Sequence, residues 1–278
     1  MKNFEEISVD IRRDIFKTVC NNRAGHLASS LSSIEILVSL YFGNVLRYDP
    51  NNPTWEERDR FIMSKGHAAL ALYYILAKAG YYKKENINSF CMEGSIFGGL
   101  ATYGKIPGIE MTSGSLGHGL SFAAGIAMAG KLKAEPYQVY VMLGDGELQE
   151  GEVWEAALFI SHNQLENLTV IIDNNRIQAT GSCDNIISLG DLTKKWTSFG
   201  FYVVETDGHN VEQLINNLTL KTNIPKVVIA NTKKGKGLSF AEDKEFWHYK
   251  MPSEYEIEIG LKELGMNRKE LTANEKQV

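Results

Sequence analysis

The sequence places a carboxylate and a carboxamide after two successive apolar segments. Asp145 lies between Gly144 and Gly146, directly after the run Val-Tyr-Val-Met-Leu at 139–143. Asn175 comes thirty positions later, after the apolar run 168–172. Oxygen ligands of this kind suit Mg²⁺, which takes one or two ligands from side chains and the rest from phosphates and water. Since the flanking glycines permit close backbone approach to a phosphate, the pattern predicts a clamp for a metal-bridged diphosphate.

Two parallel strands would bring these side chains together. Both apolar runs are typical of buried parallel strands, and the apolar positions between them have helical spacing (Val153, Trp154, Ala157, Leu158 and Ile160). The predicted β-α-β unit puts both strand ends at the carboxyl edge of a sheet, where ligands bind in open parallel sheets. A Gly-Asp-Gly triplet alone is more often an ordinary turn, so it is the order of the elements that favours the clamp.

The rest of the chain alternates helix and strand patterns without a linker, which predicts a single α/β domain over 1–278. Helices are predicted over 5–21, 33–42, 68–79 and 120–133, and further strands over 60–64, 202–205 and 226–230. The glycine-rich segment 94–119 predicts irregular loops, and the residues from 265 or so onward predict a polar tail. We expect a mostly parallel sheet flanked by helices.

Composition narrows the functional classes. The chain has 278 residues, of which 44% are hydrophobic and 23% charged, and its formal net charge is −5. That charge favours neither a nucleic-acid partner nor an anionic membrane surface. Cys20, Cys91 and Cys183 lack metal-ligand spacing, which predicts reduced thiols. The sequence has no apolar leader region and no run of eighteen apolar residues, so we expect a cytoplasmic protein without membrane or nucleic-acid partners.

Six segments resemble transketolase, in that family's order and at about its spacing. They are Arg-Ala-Gly-His at 23–26, Asp-Arg-Phe-Ile-Met-Ser-Lys-Gly-His at 59–67, Pro-Gly-Ile-Glu-Met-Thr-Ser-Gly-Ser-Leu-Gly at 107–117, Gly-Asp-Gly-Glu-Leu-Gln-Glu-Gly at 144–151, Asp-Asn-Asn-Arg-Ile at 173–177 and Asn-Thr-Lys-Lys-Gly-Lys-Gly at 231–237. The resemblance covers nearly the whole chain and stops where a full-length transketolase would begin its pyrimidine-binding domain. It therefore implies a thiamine diphosphate-binding fold of the diphosphate-binding type, as the N-terminal subunit of a transketolase encoded as two polypeptides.

The resemblance implies thiamine diphosphate and Mg²⁺ as cofactors, with Ca²⁺ able to substitute. Asp145, Asn175 and the backbone carbonyl of Ile177 would hold the metal. A loop histidine taken singly is more often an ordinary surface residue, but the motif around His67 implies that it contacts the diphosphate. The implied cofactor-binding set is His67, Gly114, Ser115, Leu116, Gly144, Asp145, Gly146, Asn175, Ile177 and His248.

The implied catalytic residues are His26, His248, Glu150 and Glu155. The two histidines would face the sugar. The two glutamates would lie at a subunit interface, in a chain of carboxylates between two active sites. A purely structural explanation stays open for the glutamates, because acidic residues near a helix N-terminus complement its partial positive charge.

Two departures from the family pattern concern the substrate. The loop Gly-Gly-Leu-Ala-Thr-Tyr-Gly at 98–104 has no histidine, although transketolases usually carry a donor-binding histidine there, close to Ala101. His118 stands where the family generally has glutamine. Losing a hydrogen-bonding group at a polyol site changes specificity, so we expect a substrate pair other than the common pentose phosphates. Lys233, Lys234 and Lys236 either face a phosphate or are solvated.

We therefore expect an enzyme that transfers a two-carbon ketol unit from a ketose or ketose phosphate to an aldehyde. It would be active only with a partner that carries the pyrimidine-binding domain, in a heterotetramer of two chains of each kind. One alternative is a related thiamine diphosphate carboligase that acts on an unusual or nucleotide-linked sugar. The other is a regulatory subunit without catalysis. The site residues are all present, which disfavours this last alternative.

Overall fold

A five-stranded parallel β-sheet lies at the centre of the computed structural model, which describes residues 3–272. The strands are β1 (Arg60–Met63), β2 (Val139–Gly144), β3 (Leu168–Asn174), β4 (Tyr202–Asp207) and β5 (Lys226–Asn231). Their order in the sheet is β1-β2-β3-β5-β4, and every neighbouring pair is parallel. The predicted α/β class with a parallel sheet is confirmed.

Helices cover both faces of the sheet. Within the described residues the α-helices are α1 (Phe4–Asn22), α2 (Leu27–Ser32), α3 (Ile34–Phe42), α4 (Ala69–Lys78), α5 (His118–Lys133), α6 (Gly151–His162), α7 (Cys183–Ile187), α8 (Leu192–Ser198), α9 (Val211–Thr219), α10 (Glu254–Glu263) and α11 (Arg268–Thr272). Short 3₁₀ turns occupy Gly66–Ala68, Lys84–Ser89, Gly146–Gln149 and Glu245–Trp247. None of these helices is both long and apolar enough to span a bilayer.

Strand β2 is apolar at successive positions because both of its faces are buried. Val139, Val141 and Leu143 belong to the core that includes α5, α6 and α8, whereas Tyr140 and Met142 belong to the core that includes α1, α3 and α4. Side chains of a strand point alternately to opposite faces, so a strand between two helical layers needs apolar residues throughout.

The parallel register aligns the carboxyl ends of the central strands. Gly144, the last residue of β2, is level with Asp173 of β3, and Asn174 is level with Asn231 of β5. The chain therefore emerges at one edge of the sheet just before Asp145 and just before Asn175. Over the predicted loop segment, no helix or strand lies between Ser89 and His118.

Several helices escaped prediction from sequence. Helix α2 contains Ser29, Ser30 and Ser32, yet all six of its residues are buried. The serines break the apolar pattern, and their burial depends on partners far along the chain, such as the carboxylate of Asp173 that accepts a hydrogen bond from Ser32 at 2.7 Å. Helix α11 lies within the predicted polar tail and buries Leu271, and residues 273–278 of that tail lie outside the described residues.

Candidate active site

Asp145 and Asn175 stand side by side at the carboxyl edge of the sheet. The Asp145 carboxylate accepts hydrogen bonds from the turns after both strands. Its Oδ1 accepts from Gly146 N at 2.7 Å, and its Oδ2 accepts from Arg176 N, next to Asn175. Asn175 Oδ1 in turn accepts from Ile177 N at 3.1 Å. The two turns that follow β2 and β3 are thus joined through the predicted ligands themselves.

The Asp145 carboxylate is poised for a cationic ligand. It is 2% exposed, and burial, followed by the negative charge of Asp173, raises the pKa of Asp145 to about 6. A divalent cation would stabilise the ionised form and reverse that shift. Within the described residues, no group of three or more His, Cys, Asp or Glu could hold a metal. The predicted donor set instead contains one carboxylate, one carboxamide and one backbone carbonyl. Sets made only of oxygen atoms suit hard cations such as Mg²⁺ or Ca²⁺.

Lys234 adds a buried cation that the sequence left undecided. It is 1% exposed, and its Nζ donates to the carbonyls of Ile177 at 2.9 Å and Gln178 at 3.3 Å. Burial, and then the charge of Lys65, lowers the pKa of Lys234 to about 8. Its neighbour Lys233 is exposed. The three lysines of this segment look alike in sequence, and only the packing shows which one points inward.

Lys65 forms a second buried cation, paired with Asp173. Both side chains are fully buried, and the ammonium donates to Asp173 Oδ2. Burial would raise the pKa of Asp173, but the charge of Lys65 and hydrogen bonds from Lys65, Thr232 and Ser32 outweigh it and hold that pKa below its usual range. Through the Asp173 carboxylate, Lys65 and Thr232 link the carboxyl ends of β1, β3 and β5.

Three histidines from distant parts of the chain meet beside the clamp. Ring centroids of His26 and His67 are 5.7 Å apart, and each is 5.2 Å from the ring of His248. Burial, and next the charge of Lys234, lowers the pKa of His26 and of His248 to about 4. Burial and the charge of Lys65 hold the pKa of His67 well below its ordinary value. All three imidazoles are therefore uncharged at neutral pH.

The histidines line a cavity of about 330 Å³. Its other walls come from the loops 91–100 and 114–116 and from Tyr249, whose ring centroid lies 4.8 Å from that of His26. Gly114 and Leu116 line this cavity, whereas Ser115 is exposed. Gly114 has φ +138°, a conformation that residues with a side chain rarely adopt.

Buried polar atoms without partners surround the same region. Among the described residues they include Oγ of Ser29, Ser30 and Ser113, Nδ1 of His26 and Oε1 of Gln178. Native proteins rarely leave such atoms unpaired. Hydroxyl donors beside buried ammonium groups and oxygen ligands fit a metal-bound diphosphate, so the chemistry of the residues present agrees with the cofactor that the sequence implied.

Comparison with known families decides the classification. Residues 5–278 match the transketolase domain described as thiamine diphosphate binding. The chain belongs to the transketolase family. The sequence-based resemblance is therefore confirmed, and with it the expectation of a thiamine diphosphate-binding domain.

Among curated relatives, an apulose-4-phosphate transketolase subunit from Actinobacillus succinogenes is 42% identical over 257 residues, which are 91% of this chain and 93% of that protein. A 6-deoxy-6-sulfo-D-fructose transketolase subunit from a Clostridium species is 38% identical over 84% of this chain and 86% of its own length. The solved transketolase of Leishmania mexicana superposes with a TM-score of 0.90 at 29% identity, over 96% of this chain. The present chain spans only 42% of that structure.

The two glutamates that the transketolase resemblance implied lie away from the histidines. Glu150 precedes α6, Glu155 lies within that helix, and both are exposed. Neither is among the described residues that line the histidine cavity. Glu150 packs against the loop that leads to α5: a Cβ added at Gly117 would lie 2.9 Å from the Cβ of Glu150.

The loop without the family's donor-binding histidine presents an apolar wall instead. Leu100 and Gly99 line the cavity, whereas Ala101 is 1% exposed and its carbonyl accepts from Ser113 N at 3.0 Å. The side chain beside the expected donor position is therefore that of Leu100. His118, the other departure, is half exposed and its Nδ1 lies 2.7 Å from a carboxylate oxygen of Glu152.

A second, larger cavity of about 730 Å³ lies at the opposite, amino edge of the sheet. It is lined by residues such as Gln138, Thr169 and Lys226, which begin or flank the strands. It contains none of the predicted site residues. The three histidines line the smaller cavity, whereas Asp145 and Arg176 line a separate one of about 350 Å³ at the carboxyl edge of the sheet.

Proposed function

We propose that the chain is the N-terminal, diphosphate-binding subunit of a two-polypeptide transketolase, which transfers a two-carbon ketol unit from a ketose or ketose phosphate to an aldehyde. The observation that carries this proposal is the meeting of three uncharged imidazoles with Asp145, Asn175 and Lys234 at one edge of the sheet. The names of relatives, which include transketolase subunits matched over most of their length, support it.

Thiamine diphosphate, when bound, supplies the nucleophilic carbon for breaking and forming carbon–carbon bonds beside a carbonyl. In our proposal the oxygens of Asp145, Asn175 and the Ile177 carbonyl hold Mg²⁺, for which Ca²⁺ can substitute. His67 and Lys234 contact the diphosphate. The backbone of 114–116 and of Gly144 and Gly146 approaches it closely, since glycine leaves the amide groups accessible.

His26 and His248 act on the sugar. A neutral imidazole has one donor and one acceptor nitrogen, so each ring can hold a hydroxyl group and accept or return its proton. Nδ1 of His26 is buried without a partner, and Nδ1 of His248 lies 3.3 Å from Nζ of Lys234. That amine can donate to the His248 ring and thereby leave its other nitrogen to face the substrate.

The partner in this proposal is a second polypeptide that carries the pyrimidine-binding domain, and the assembly is a heterotetramer. An exposed apolar face on α5 and α6 supports this assembly. On α5 and α6 the exposed residues include Phe122, Leu132, Leu158 and Phe159, of which Leu132 is 78% and Leu158 62% exposed. Subunit interfaces concentrate apolar and aromatic side chains of this kind. Glu150 and Glu155 lie beside this face. We propose that they form part of a chain of carboxylates between the two active sites.

The departure at Leu100 supports a substrate pair other than xylulose 5-phosphate with ribose 5-phosphate. An apolar wall cannot hydrogen-bond the hydroxyl that a histidine would hold, which penalises a substrate selected by that contact. We expect turnover of that pair to be weak and an unusual ketose or ketose phosphate to be preferred. We also place the protein in the cytoplasm, in agreement with its free cysteines Cys20, Cys91 and Cys183.

Reconstitution tests the proposal. The purified chain is assayed with thiamine diphosphate, Mg²⁺ and a panel of ketose phosphates, alone and mixed with a candidate polypeptide that carries the pyrimidine-binding domain. Activity is expected only in the mixture, and mixing in Asp145→Asn serves as the inactive control. Full activity of the chain alone would refute the split-enzyme proposal. Full turnover of xylulose 5-phosphate with ribose 5-phosphate would show that the Leu100 wall does not select the substrate.

The same substrate panel, extended to nucleotide-linked sugars, distinguishes the alternative carboligase from a transketolase. Turnover of those sugars in preference to ketose phosphates would favour it. A regulatory subunit without catalysis would change the activity of its partner and yet tolerate Asp145→Asn without effect.

A further inference from the structure

Glu147 is a buried carboxylate that the proposed chemistry does not use. It lies in the 3₁₀ turn after Asp145 and is 2% exposed. Its Oε1 accepts hydrogen bonds from Gly117 N at 2.9 Å and from the hydroxyl of Ser64. Its Oε2 accepts from Gly144 N at 3.1 Å. One side chain therefore receives three donors, and each donor comes from a different part of the chain.

Each of the three donors adjoins residues that the proposed function assigns to the cofactor. Ser64 follows β1 and precedes Lys65 and His67. Gly117 follows the loop 114–116 and leads into α5, and Gly144 immediately precedes Asp145. Glu147 is thus the point where the three loops that surround the proposed diphosphate are joined to one another.

The surrounding packing leaves these loops little freedom to find another arrangement. A Cβ on Gly119, in the first turn of α5, would come within 2.2 Å of Ser64 Oγ. Gly117 has φ +91° and its added Cβ would meet Glu150. The start of α5 therefore rests directly on the end of β1, and the carboxylate of Glu147 fills the junction.

Only a carboxylate satisfies all three donors. Its two oxygens accept every hydrogen bond, whereas a glutamine side chain has one acceptor oxygen and an NH₂ group that must face one of the donors. Buried donors without an acceptor are costly. A glutamine of equal size would therefore push one loop away from the other two.

We infer that Glu147 is a positioning residue, which fixes the spacing of the loops 64–67, 114–117 and 144–146 and thereby sets the affinity for the metal-bound diphosphate. This inference rests on the proposed function for the identity of the ligand. Glu147 acts through these loops and not by contact with the cofactor.

The matched control is Asp59, which lies at the other end of β1. It is 6% exposed and accepts from Arg47 N and Gln138 N, both at 2.8 Å, so it also joins loops through a buried carboxylate. Glu147→Gln and Asp59→Asn each remove one buried charge from the same sheet, and only the first lies at the proposed site. Ser64→Ala removes a single donor from Glu147 and is the milder variant.

Two measurements on the full chain test the inference. Hydrogen exchange of the chain without ligand should be faster in Glu147→Gln than in wild type for peptides that contain Gly117 and Gly144, and unchanged there in Asp59→Asn. Calorimetry with MgCl₂ and thiamine diphosphate should show an affinity loss of about tenfold or more in Glu147→Gln, the size typical of groups that orient ligands. Ser64→Ala should show a smaller loss, and Asp59→Asn none, even where its melting temperature falls equally.

An unchanged affinity in Glu147→Gln, an equal loss in Asp59→Asn, or unchanged exchange at both peptides would overturn the inference. If wild type binds no thiamine diphosphate by itself, the calorimetry is repeated with the pyrimidine-domain polypeptide present, and absence of binding there as well would refute the proposed function. The exchange measurement then still decides whether Glu147 holds the loops together. If Glu147→Gln does not fold, Ser64→Ala decides by the same two readouts.

Discussion

At the amino edge of the sheet, buried charges have a full set of partners. The carboxylate of Asp59 accepts from the backbone of Arg47 and Gln138 and from the guanidinium of Arg47 at 2.9 Å. Lys226 is 4% exposed, and its ammonium donates to three carbonyls at or just beyond the end of α9, those of Asn217, Leu218 and Leu220, at 2.7–3.0 Å. The hydrogen bonds of these buried charges therefore hold the turns at this edge in place through contacts within the chain.

At the carboxyl edge, by contrast, several buried polar groups have no hydrogen-bond partner among residues 3–272. Ser29, Ser30 and Ser113 each bury a hydroxyl without one, and three uncharged histidines face a common cavity. At the amino edge, Oδ1 of Asn167 is also buried without a partner among the described residues, but the buried charges of Asp59 and Lys226 are paired. Closed polar networks stabilise one end of the sheet, whereas the open network at the other end keeps hydrogen-bonding capacity for a ligand.

The largest effect expected at the carboxyl edge comes from Asp145→Asn. Removing the only charged ligand from the proposed metal set should weaken Mg²⁺–thiamine diphosphate binding by about a hundredfold or more. Asp59→Asn, the same exchange at the amino edge, should leave the affinity unchanged. Calorimetry on both variants checks the difference. Equal binding by Asp145→Asn and wild type would mean that the metal lies elsewhere.

Asp173→Asn should cause the largest loss of stability, about 3–5 kcal/mol, because it leaves the Lys65 ammonium buried without its counter-charge. Urea unfolding followed by circular dichroism measures the change. Adding Lys65→Met to Asp173→Asn should recover part of the loss, since the unpaired charge is then gone. A loss below about 1 kcal/mol for the single variant would show that water reaches this pair.

Lys226→Met at the amino edge should lower the free energy of unfolding by about 1.5–3 kcal/mol, because three carbonyls lose a charged donor. Cofactor affinity should stay the same, in contrast with the variants at the other edge. Paired unfolding and calorimetry experiments separate the two quantities. A large drop in affinity would show that the two edges are mechanically coupled.

The last prediction concerns stability below neutral pH. His26 and His248 have pKa values near 4 in the folded protein, below the ordinary value of 6.5. As pH falls from 6.5 toward 4, the unfolded chain takes up protons that the folded chain does not, so these residues lower the stability over that window. The double variant His26→Asn/His248→Asn should flatten the slope of unfolding free energy there. An unchanged slope in urea titrations would contradict the low pKa values.

Sequence alone identified the elements whose pattern is strong. The apolar runs that became β2 and β3 predicted the strands to within two residues at their ends, because strands buried on both faces need apolar side chains throughout. The motifs around Asp145, Asn175 and His67 led to the family. Helix α2 and helices α7–α11 were not predicted. Helices α2, α7, α8 and α11 have only five to seven residues, too few to show a clear period. Helices α9 and α10 do carry a local signal, which was missed. In α9 it is the apolar spacing of Val211, Leu214 and Leu218, and in α10 it is the capping box of Ser253 and Glu256.

Long-range packing determines which side chains face inward and which of them come into contact. The sequence showed three similar lysines at 233, 234 and 236, but the packing of the segment 232–237 against Ile177 and Gln178 is what buries the amine of Lys234. The same holds for Glu147, which looks like an ordinary acidic residue near a helix start. Its partners Ser64 and Gly117 lie 83 and 30 positions away. Local spacing determines where a strand or helix forms, whereas contacts across such distances depend on how the finished elements pack.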